Sequence, residues 1–449
     1  MNKLEQTVSA EEAVKIIKSG DKVFVHSNAA VPKKLVQAMT NRHEELRNVQ
    51  MYHILTLGET EDTAPYVMPG MEKSFTTHSL FASKNTRQAI NEGRAYYCPI
   101  FLHQVPRLIT EVGIDVALIQ VSPPDSNGYC SLGLTVDIAD AGVRSAKKVI
   151  AEINPKMPRT HGKSFFHISK FDYTVPVDYD LPTYETAPST RTVEAIGKNV
   201  ASLIDDGCVL QMGIGGIPDA ALKCLYDRQH LGIHTEMFSD GVIGLIEKGV
   251  IDNSTKRCVH GSTLASFIIG SKRLYEWVDD NPMITMRPCD FTNNPILIAG
   301  NDKTVAINSA IEIDLKGQVC SDSMGVRIYS GVGGQVDFMR GAAMSNGGKP
   351  IIAMESVIRN RKTGEIKGSK IVPFLHEGAG VVTSEADTHY VITEYGIAFL
   401  HGKGVGERAT DLINIAHPTF RRKMVETCRR INYRVDEKKI DYDQEEIVP

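Results

Sequence analysis

The sequence contains two copies of one pattern, in which a helix is followed by a buried strand, a loop of small residues and a second helix. In the first copy, an apolar run at 23–25 leads into a loop that ends at Pro32. In the second copy, an apolar run at 208–210 leads into a glycine-rich loop that ends at Pro218. Proline suits the first turn of a helix, because the N–H that it lacks would be unpaired there. The repeat predicts two domains built from the same order of elements.

Two further pairs of segments recur in the same order in the two halves. The pairs are 128–133 with 317–321, and 148–152 with 349–353. The strands that precede the first pair are predicted at 116–121 and around 310–313. The alternative is a chance likeness between unrelated α/β segments, and three pairs in one order argue against it.

The predicted fold class is α/β, with two similar tandem domains, each an open and largely parallel sheet flanked by helices. Short apolar strands alternate with amphipathic helices in both halves, which is typical of parallel sheets. Ser9 and Glu12 fit a capping box at the start of the first helix. The segment 171–190 contains three prolines and no helical period, and we interpret it as a linker. The predicted domains are therefore residues 1–185 and 186–449.

Charge and cysteine spacing argue against several classes of function. Lys and Arg number 50 against 54 Asp and Glu, so a net charge of −4 offers no basic face to a nucleic-acid backbone. No apolar run reaches about 18 residues and the N-terminus is polar, so we expect neither a membrane span nor a signal peptide. The eight cysteines are scattered without a Cys-x-x-Cys motif, which is typical of reduced thiols in a cytoplasmic protein. We expect no metal site, no nucleic-acid partner and no membrane association.

Two glycine-rich loops are candidates for contact with a ligand. The first, 213–218, joins a predicted strand to a helix start, where free N–H groups carry a partial positive charge. It is neither a dinucleotide fingerprint nor a Walker loop, because Pro218 stands where the third glycine belongs and no Gly-Lys-Ser/Thr follows. The second, 330–338, can present several amide N–H groups to one oxygen, as an oxyanion hole does. Tight or flexible turns without a ligand remain the structural alternatives for both loops.

Glu236 is a candidate nucleophile near the carboxyl end of a predicted strand. No Gly-x-Ser-x-Gly motif occurs, and the Cys and His residues form no recognisable nucleophile pair, so carboxylates remain. The run 233–239 is predicted to be a strand, with Ser239 and Asp240 capping a helix that follows. Open α/β sheets bind ligands at such strand ends. Glu394 is the rival, and local pattern leaves the choice open because alternation also allows a surface-facing Glu236.

Motifs along nearly the whole chain resemble those of the family I CoA-transferases of the acetyl-CoA hydrolase/transferase group. In the family's order, the segments are 121–128, 213–220, 231–241, 330–338, 393–398 and 416–418. The resemblance implies a two-domain α/β architecture with one type of core in each half. It also implies transfer of CoA between a short-chain acyl-CoA and a carboxylate such as acetate, butyrate or 4-hydroxybutyrate.

The resemblance implies a role for each candidate residue. Glu236 is the implied nucleophile, which attacks an acyl-CoA thioester and passes through a mixed anhydride to a glutamyl-CoA thioester, with ping-pong kinetics. A carboxylate with an ordinary pKa of about 4.3 is already ionised at pH 7 and needs no general base. The implied oxyanion and CoA loop is formed by Gly331, Gly333 and Gly334. The implied CoA-binding residues are Gly213, Ile214, Gly215, Gly216, Ile217, Ile311 and Ser330.

Coenzyme A is implied as a substrate, and no tightly bound cofactor is expected. The expected partners are acyl-CoA and short-chain carboxylates, with assembly as a homodimer or higher homo-oligomer. One alternative is an acyl-CoA hydrolase on the same scaffold, in which water resolves the intermediate. Another is a non-catalytic ligand-binding protein, against which Glu236 and the two glycine loops argue. The family branch favours transfer.

Overall fold

The computed structural model describes residues 7–185, 188–360 and 362–447. Residues 1–6 of the polar N-terminal segment lie outside the described residues, as do Thr186 and Ala187 of the predicted linker.

The first half contains ten described strands and six described α-helices. The strands are β1 (Lys22–Val25), β2 (Val49–His53), β3 (Phe75–Ser79), β4 (Tyr96–Tyr97), β5 (Val116–Val121), β6 (Tyr129–Ser131), β7 (Lys148–Ile153), β8 (His161–Gly162), β9 (Phe165–His167) and β10 (Tyr173–Pro176). The helices are α1 (Ala10–Ala13), α2 (Lys33–Thr40), α3 (Thr60–Thr63), α4 (Arg87–Asn91), α5 (Val105–Val112) and α6 (Ala139–Ser145).

The second half is longer and contains more short strands. Its described strands are β11 (Val209–Met212), β12 (Gly232–Ile233), β13 (Met237–Phe238), β14 (Thr263–Ala265), β15 (Phe267–Ile268), β16 (Ile284–Met286), β17 (Thr304–Asn308), β18 (Glu312–Asp314), β19 (Val319–Cys320), β20 (Ser323–Met324), β21 (Arg327–Ile328), β22 (Lys349–Ala353), β23 (Val357–Arg359), β24 (Ile366–Ser369), β25 (Ile371–Val372), β26 (Tyr390–Thr393) and β27 (Gly396–Phe399). Its described helices are α7 (Arg191–Ala201), α8 (Gly216–Lys223), α9 (Ile243–Glu247), α10 (Lys272–Val278), α11 (Cys289–Thr292), α12 (Pro295–Ala299), α13 (Gln335–Met344), α14 (Val405–Asn414) and α15 (Pro418–Arg430).

Each half is built around one largely parallel sheet, and the two sheets share a strand order. The first sheet has the order β10-β7-β5-β1-β2-β3-β4 and is parallel throughout. The second has the order β12-β11-β17-β22-β26-β27, in which only β27 is antiparallel. The run β2-β1-β5-β7-β10 therefore corresponds to β12-β11-β17-β22-β26. The predicted α/β class with largely parallel sheets is confirmed, and the shared order is what a duplication produces.

The central strands are buried along their length because helices cover both faces of each sheet. Every residue of β5 and of β11 is buried, which explains why these strands are apolar apart from one glutamine each, Gln120 and Gln211, rather than alternating. The third predicted pair of segments forms β7 and β22, which occupy equivalent places in the two sheets. The Ser9 cap is also present, since its Oγ accepts the N–H of Glu12 at 3.2 Å.

A strand forms at the position expected around 310–313, as β18, but it pairs with β19 and β25 in a separate small sheet, and the counterpart of β5 is β17. Two local predictions are wrong. β10 forms inside the predicted linker and is the edge strand of the first sheet. Pro176 is tolerated there because an edge strand does not need its missing N–H for a ladder hydrogen bond. Ser239 makes no capping hydrogen bond, and the carboxylate of Asp240 instead accepts the N–H of Ser271 at 2.8 Å. The domain boundary at 185/186 stays a prediction.

One apolar core extends across both halves of the chain. It contains Phe24 and Ile119 of the first half together with Leu210 and Val305 of the second, all fully buried. A second core lies on the other face of the first sheet, and a third packs α14 and α15 onto the second half. No helix within the described ranges is long and apolar enough to span a bilayer.

Candidate active site

Most of the predicted site residues surround one cavity between the two halves. The cavity has a volume of about 750 Å³, and Leu55 and Phe81 line it from the first half. The predicted site residues that line it are Gly213, Ile214, Glu236, Ile311, Ser330, Gly331, Gly333 and Gly334. A second cavity of about 360 Å³ shares Gly213 and Ile214, and it is also lined by Gly215, Gly216 and Ile217. The fold thus brings all the predicted residues to two adjoining cavities.

Glu236 lies in a break between two short strands. The predicted strand 233–239 is divided into β12, which pairs with β11, and β13, which pairs with β15 in another sheet. The carbonyl of Glu236 accepts the N–H groups of Ser266 and Phe267 at 2.9 and 3.1 Å, and these contacts fix the chain where it changes sheet. The result still places Glu236 just beyond the carboxyl end of β12, where open parallel sheets bind ligands.

The carboxylate of Glu236 is held by a buried amide and by the backbone of the second glycine loop. Asn293 donates from Nδ2 to Glu236 Oε2 at 2.6 Å. Gly334 lies so close that a Cβ built there would stand 1.9 Å from the same oxygen. Position 334 therefore accepts only glycine while the carboxylate keeps this place.

The environment of Glu236 makes it an unusual carboxylic acid. Burial raises its pKa to about 7, against the hydrogen bond from Asn293, which lowers it. The neighbouring carboxylates of Asp337 and Asp137 raise it further. The expectation of an ordinary pKa is therefore wrong, because half-burial and two acidic neighbours disfavour the charged form. The site thus disfavours the charged form of the nucleophile and makes its carboxylate more basic than that of an exposed glutamate.

The acidic neighbours of Glu236 are tied to the first half of the chain. Asp137 is fully buried and accepts from Asn28 Nδ2 at 2.9 Å. Burial raises the pKa of Asp137 to about 7. Asp337, near the start of α13, accepts from His103 Nδ1 at 2.6 Å. Both halves thus contribute polar groups to the surroundings of the nucleophile.

The second glycine loop is anchored to the first half. The carbonyl of Ser330 accepts the N–H of Ala82 at 3.2 Å, and the carbonyl of Gly333 accepts the N–H of Leu102 at 3.0 Å. The ring of Phe81 packs on Gly331, where a Cβ would come within 2.6 Å of the ring. These contacts seat the loop against the cavity that contains Glu236.

The first glycine loop joins β11 to α8, as predicted. Gly215 has a φ of +125°, a conformation that L side chains rarely adopt, so the turn requires glycine there. Pro218 is the third residue of α8 and lies in its first turn, whereas Pro32 precedes α2. The loop thus places the start of an eight-residue helix beside the smaller cavity.

The carboxylate of Glu394, the other candidate, is hydrogen-bonded to Ser356 rather than exposed to either cavity. Its carboxylate accepts the backbone N–H of Ser356 at 3.0 Å and the hydroxyl of Ser356 at 2.6 Å. It lines neither of the two cavities, so the geometry favours Glu236 as the reactive carboxylate. Among the described residues, no group of three or more His, Cys, Asp or Glu is placed to hold a metal ion.

The fold and the site define a known class of enzyme. The N-terminal domain of the acetyl-CoA hydrolase/transferase family matches residues 2–183, and the C-terminal domain of the same family matches residues 270–428. The chain belongs to this family, and the membership predicted from its motifs is confirmed.

Relatives along the whole length of the chain are named CoA-transferases. A 4-hydroxybutyrate coenzyme A transferase of Clostridium kluyveri is 45% identical, over 95% of this chain and 98% of its own. A succinyl-CoA:acetate/propanoyl-CoA:succinate CoA transferase of Fasciola hepatica is 44% identical, over 93% of this chain and 86% of its own. The crystal structure of a 4-hydroxybutyrate CoA-transferase from Porphyromonas gingivalis superposes with a TM-score of 0.80 at 38% identity, covering 96% of this chain and 98% of that one.

Proposed function

We propose that this protein is an acyl-CoA:carboxylate CoA-transferase that works through a glutamyl-CoA thioester on Glu236. The observation that carries the proposal is the carboxylate of Glu236 in a cavity that both glycine loops line. The donors and acceptors are short-chain acyl-CoA and carboxylates of the acetate, butyrate and 4-hydroxybutyrate class. The names of the relatives at 45% and 44% identity support transfer rather than hydrolysis.

The first half-reaction moves CoA onto the enzyme. A carboxylate oxygen of Glu236 attacks the thioester carbonyl, the C–S bond breaks, and the CoA thiolate leaves a mixed anhydride behind. The thiolate then attacks the glutamyl carbonyl of the anhydride and releases the acyl group as a carboxylate. No net proton or electron is exchanged, so the step needs neither a general base nor a redox partner.

The second half-reaction is the reverse of the first with a different carboxylate. The acceptor attacks the glutamyl-CoA thioester and expels the CoA thiolate, which then attacks the acceptor's own carbonyl in the new anhydride. Glu236 is regenerated as a carboxylate and the new acyl-CoA leaves. Because the first product departs before the acceptor reacts, the kinetics are ping-pong.

The two glycine loops have separate roles in this proposal. Amides of Gly331, Gly333 and Gly334 stabilise the tetrahedral oxyanion, and one such donor contributes about 3 to 4 kcal/mol in comparable sites. The loop 213–217, with Ile311 and Ser330, binds the CoA arm. Binding energy from that remote arm drives the reaction at the thioester.

The proposal predicts a covalent CoA adduct on Glu236. The protein is incubated with acyl-CoA, and its peptides are mapped by mass spectrometry directly, for the CoA thioester, and in a second sample after borohydride, which reduces the thioester to an alcohol and releases CoA. The adduct is expected on the peptide that contains Glu236. It should be absent from Glu236→Gln and still form in Glu394→Gln, the matched change at the other candidate carboxylate. An adduct on another residue, or undiminished turnover by Glu236→Gln, would contradict the assignment.

One comparison distinguishes a CoA-transferase from the alternative, an acyl-CoA hydrolase. CoA transfer and release of free CoA are measured side by side over a panel of carboxylates. A transferase forms new acyl-CoA in proportion to the acceptor. Free CoA released at the same rate with and without an acceptor would identify the protein as a hydrolase.

We further propose that CoA is a substrate with no tightly bound cofactor beside it, and that the protein works in the cytoplasm as a homodimer or larger homo-oligomer. All eight cysteines are free thiols, five of them buried, which supports a reducing compartment. Size-exclusion chromatography with light scattering measures the assembly.

A further inference from the structure

A line of polar side chains connects Glu236 to the first half of the chain. Asn293, fully buried, donates its amide to Glu236 and lowers the pKa of Asp337, whose charged form it stabilises. Asp337 is 2% exposed, and both its oxygens are used by one residue of the first half. His103 donates its backbone N–H to Oδ2 at 3.2 Å, and its ring Nδ1 lies 2.6 Å from Oδ1. The order of contacts is Glu236, Asn293, Asp337, His103.

The turn that carries His103 is fixed to the other parts of the site. Residues 102–104 form one turn of 3₁₀ helix. The N–H of Leu102 donates to the carbonyl of Gly333, and the thiol of Cys289 donates to the carbonyl of Leu102 at 3.1 Å. Cys289 begins α11, the helix whose C-cap is Asn293. The turn therefore contacts three parts of the site, namely the second glycine loop, helix α11 with its C-cap Asn293, and the side chain of Asp337.

We propose that His103 is a positioning residue that acts through Asp337 and Asn293 to keep Glu236 in place and in its carboxylate form. This inference rests on the proposed function, because it assumes that ionised Glu236 is the nucleophile. His103 itself does not line the cavity that contains Glu236.

The electrostatic argument depends on the charge of Asp337. That charge raises the pKa of Glu236 and so works against the reactive form. The hydrogen bond with Asp337 in turn raises the pKa of His103, so the imidazolium persists to higher pH and compensates the charge of Asp337. Loss of the imidazolium leaves an uncompensated negative charge beside the nucleophile.

Other charged groups face this line from the elements packed against it. Arg340, one turn after Asp337 on α13, lowers the pKa of His103 and is itself paired with Asp387. Asp137 of the first half faces Glu236 and raises its pKa. These groups are unchanged in a substitution at position 103, so the shift that results is assigned to His103.

The test compares the pH dependence of kcat/KM in two single variants and their double variant. The acid limb is the part of the profile in which kcat/KM falls as Glu236 is protonated. His103→Gln removes the charge and keeps a donor, so this limb is expected to move up by about one pH unit. Asp337→Asn removes the opposing charge and is expected to move the limb down. In the double variant the carboxylate that the imidazolium compensates is gone, so loss of the imidazolium has no further effect and the limb should match that of Asp337→Asn alone. Above the limb, the His103→Gln rate should lie within about threefold of the wild-type rate.

The matched control is His161→Gln, at another histidine paired with an aspartate, Asp280 at 3.0 Å. His161 lines neither cavity, and its variant is expected to leave the limb unchanged. The inference would be overturned if the His103 and Asp337 variants lost activity equally at all pH values, or if both variants shifted the acid limb in the same direction. If His103→Gln does not fold, His103→Asn, which also removes the charge and keeps an amide donor, is measured in its place, and a limb at the wild-type position would overturn the inference.

The trapping experiment separates this inference from the proposed function. If wild-type protein forms no adduct on Glu236, the proposed function fails. If the wild-type adduct forms and the acid limb does not move in the variants, only the role of His103 fails.

Discussion

At residue 334 the backbone of the second glycine loop passes directly against the nucleophile. Its φ of −97° and ψ of 5° are open to any residue, so the backbone itself does not require glycine. The requirement comes from Glu236 and Asn293, whose side-chain atoms would lie 1.9 and 2.1 Å from a Cβ. We expect Gly334→Ala to lower kcat by about 100-fold, because displacement of a reacting group by about 1 Å costs that much. The rate of adduct formation, measured by quenched mass spectrometry, checks this.

The control for this change is Gly368→Ala, in β24. A Cβ there meets nothing within 4 Å and the backbone has no positive φ, so wild-type activity is expected. Circular dichroism on both variants separates a local displacement from unfolding. Wild-type adduct formation in folded Gly334→Ala would show that the contact with the carboxylate is not restrictive.

The sequence identified the residues of the site that belong to local motifs and missed those that reach it through the fold. Glu236 and the two glycine loops carry their signal in adjacent positions. Asn293 lies 57 positions from Glu236, and His103 lies 234 positions from Asp337, so no local pattern links these pairs. The raised pKa of Glu236 was not predicted for the same reason, because burial is set by chain segments distant in sequence. Asp337 stood inside the motif 330–338 without any sign of its partner.

At the scale of elements, the long parallel strands were predicted better than the short ones. β7 and β22 each contain a short run of buried apolar residues, at 149–151 and 350–353, which is visible in the sequence. β13 and β18 have only two and three residues and pair in small sheets. Their existence depends on partners far along the chain, so their boundaries could not be predicted from local periodicity.

Helix α4 of the first half is hydrogen-bonded to the hairpin formed by β20 and β21, which leads into the second glycine loop. Asn91, at the end of α4, donates to the carbonyl of Ile328 at 2.8 Å and accepts its N–H at 3.0 Å. Ile328 ends β21, and the loop begins at Ser330. Together these two exposed hydrogen bonds are worth about 1 to 2 kcal/mol, so we expect Asn91→Ala to raise the KM for acyl-CoA by about five- to thirtyfold with little change in kcat. Initial-rate kinetics measure both constants.

Gln88→Ala is the control on the same helix. Gln88 donates to Glu92 at 2.8 Å within the first half, and this hydrogen bond does not involve the hairpin, so both constants should stay at wild-type values. A fall in kcat without a change in KM in Asn91→Ala would mean that α4 supports the chemistry rather than the binding of CoA.

At the scale of the whole molecule, the shared core couples the stability of the two halves. Residues of both sheets pack in one apolar cluster, and Trp277 of the second half packs against it. Trp277 also stacks on Phe238, with ring centroids 6.0 Å apart. It is the single tryptophan of the chain, so its fluorescence reports unfolding of the second half without a contribution from the first.

This coupling predicts that damage to the first half lowers the unfolding midpoint of the second. Met39, in α2, is fully buried in the core that lies on the far face of the first sheet. Met39→Ala should cost about 2 to 5 kcal/mol, and the midpoint reported by Trp277 should fall by several degrees, together with the midpoint from circular dichroism. Gln37→Ala, exposed on the same helix, should change neither. A Trp277 midpoint that stays at the wild-type value while the circular dichroism midpoint falls would show that the halves unfold independently, and that the cavity holding Glu236 lies between two separately stable units.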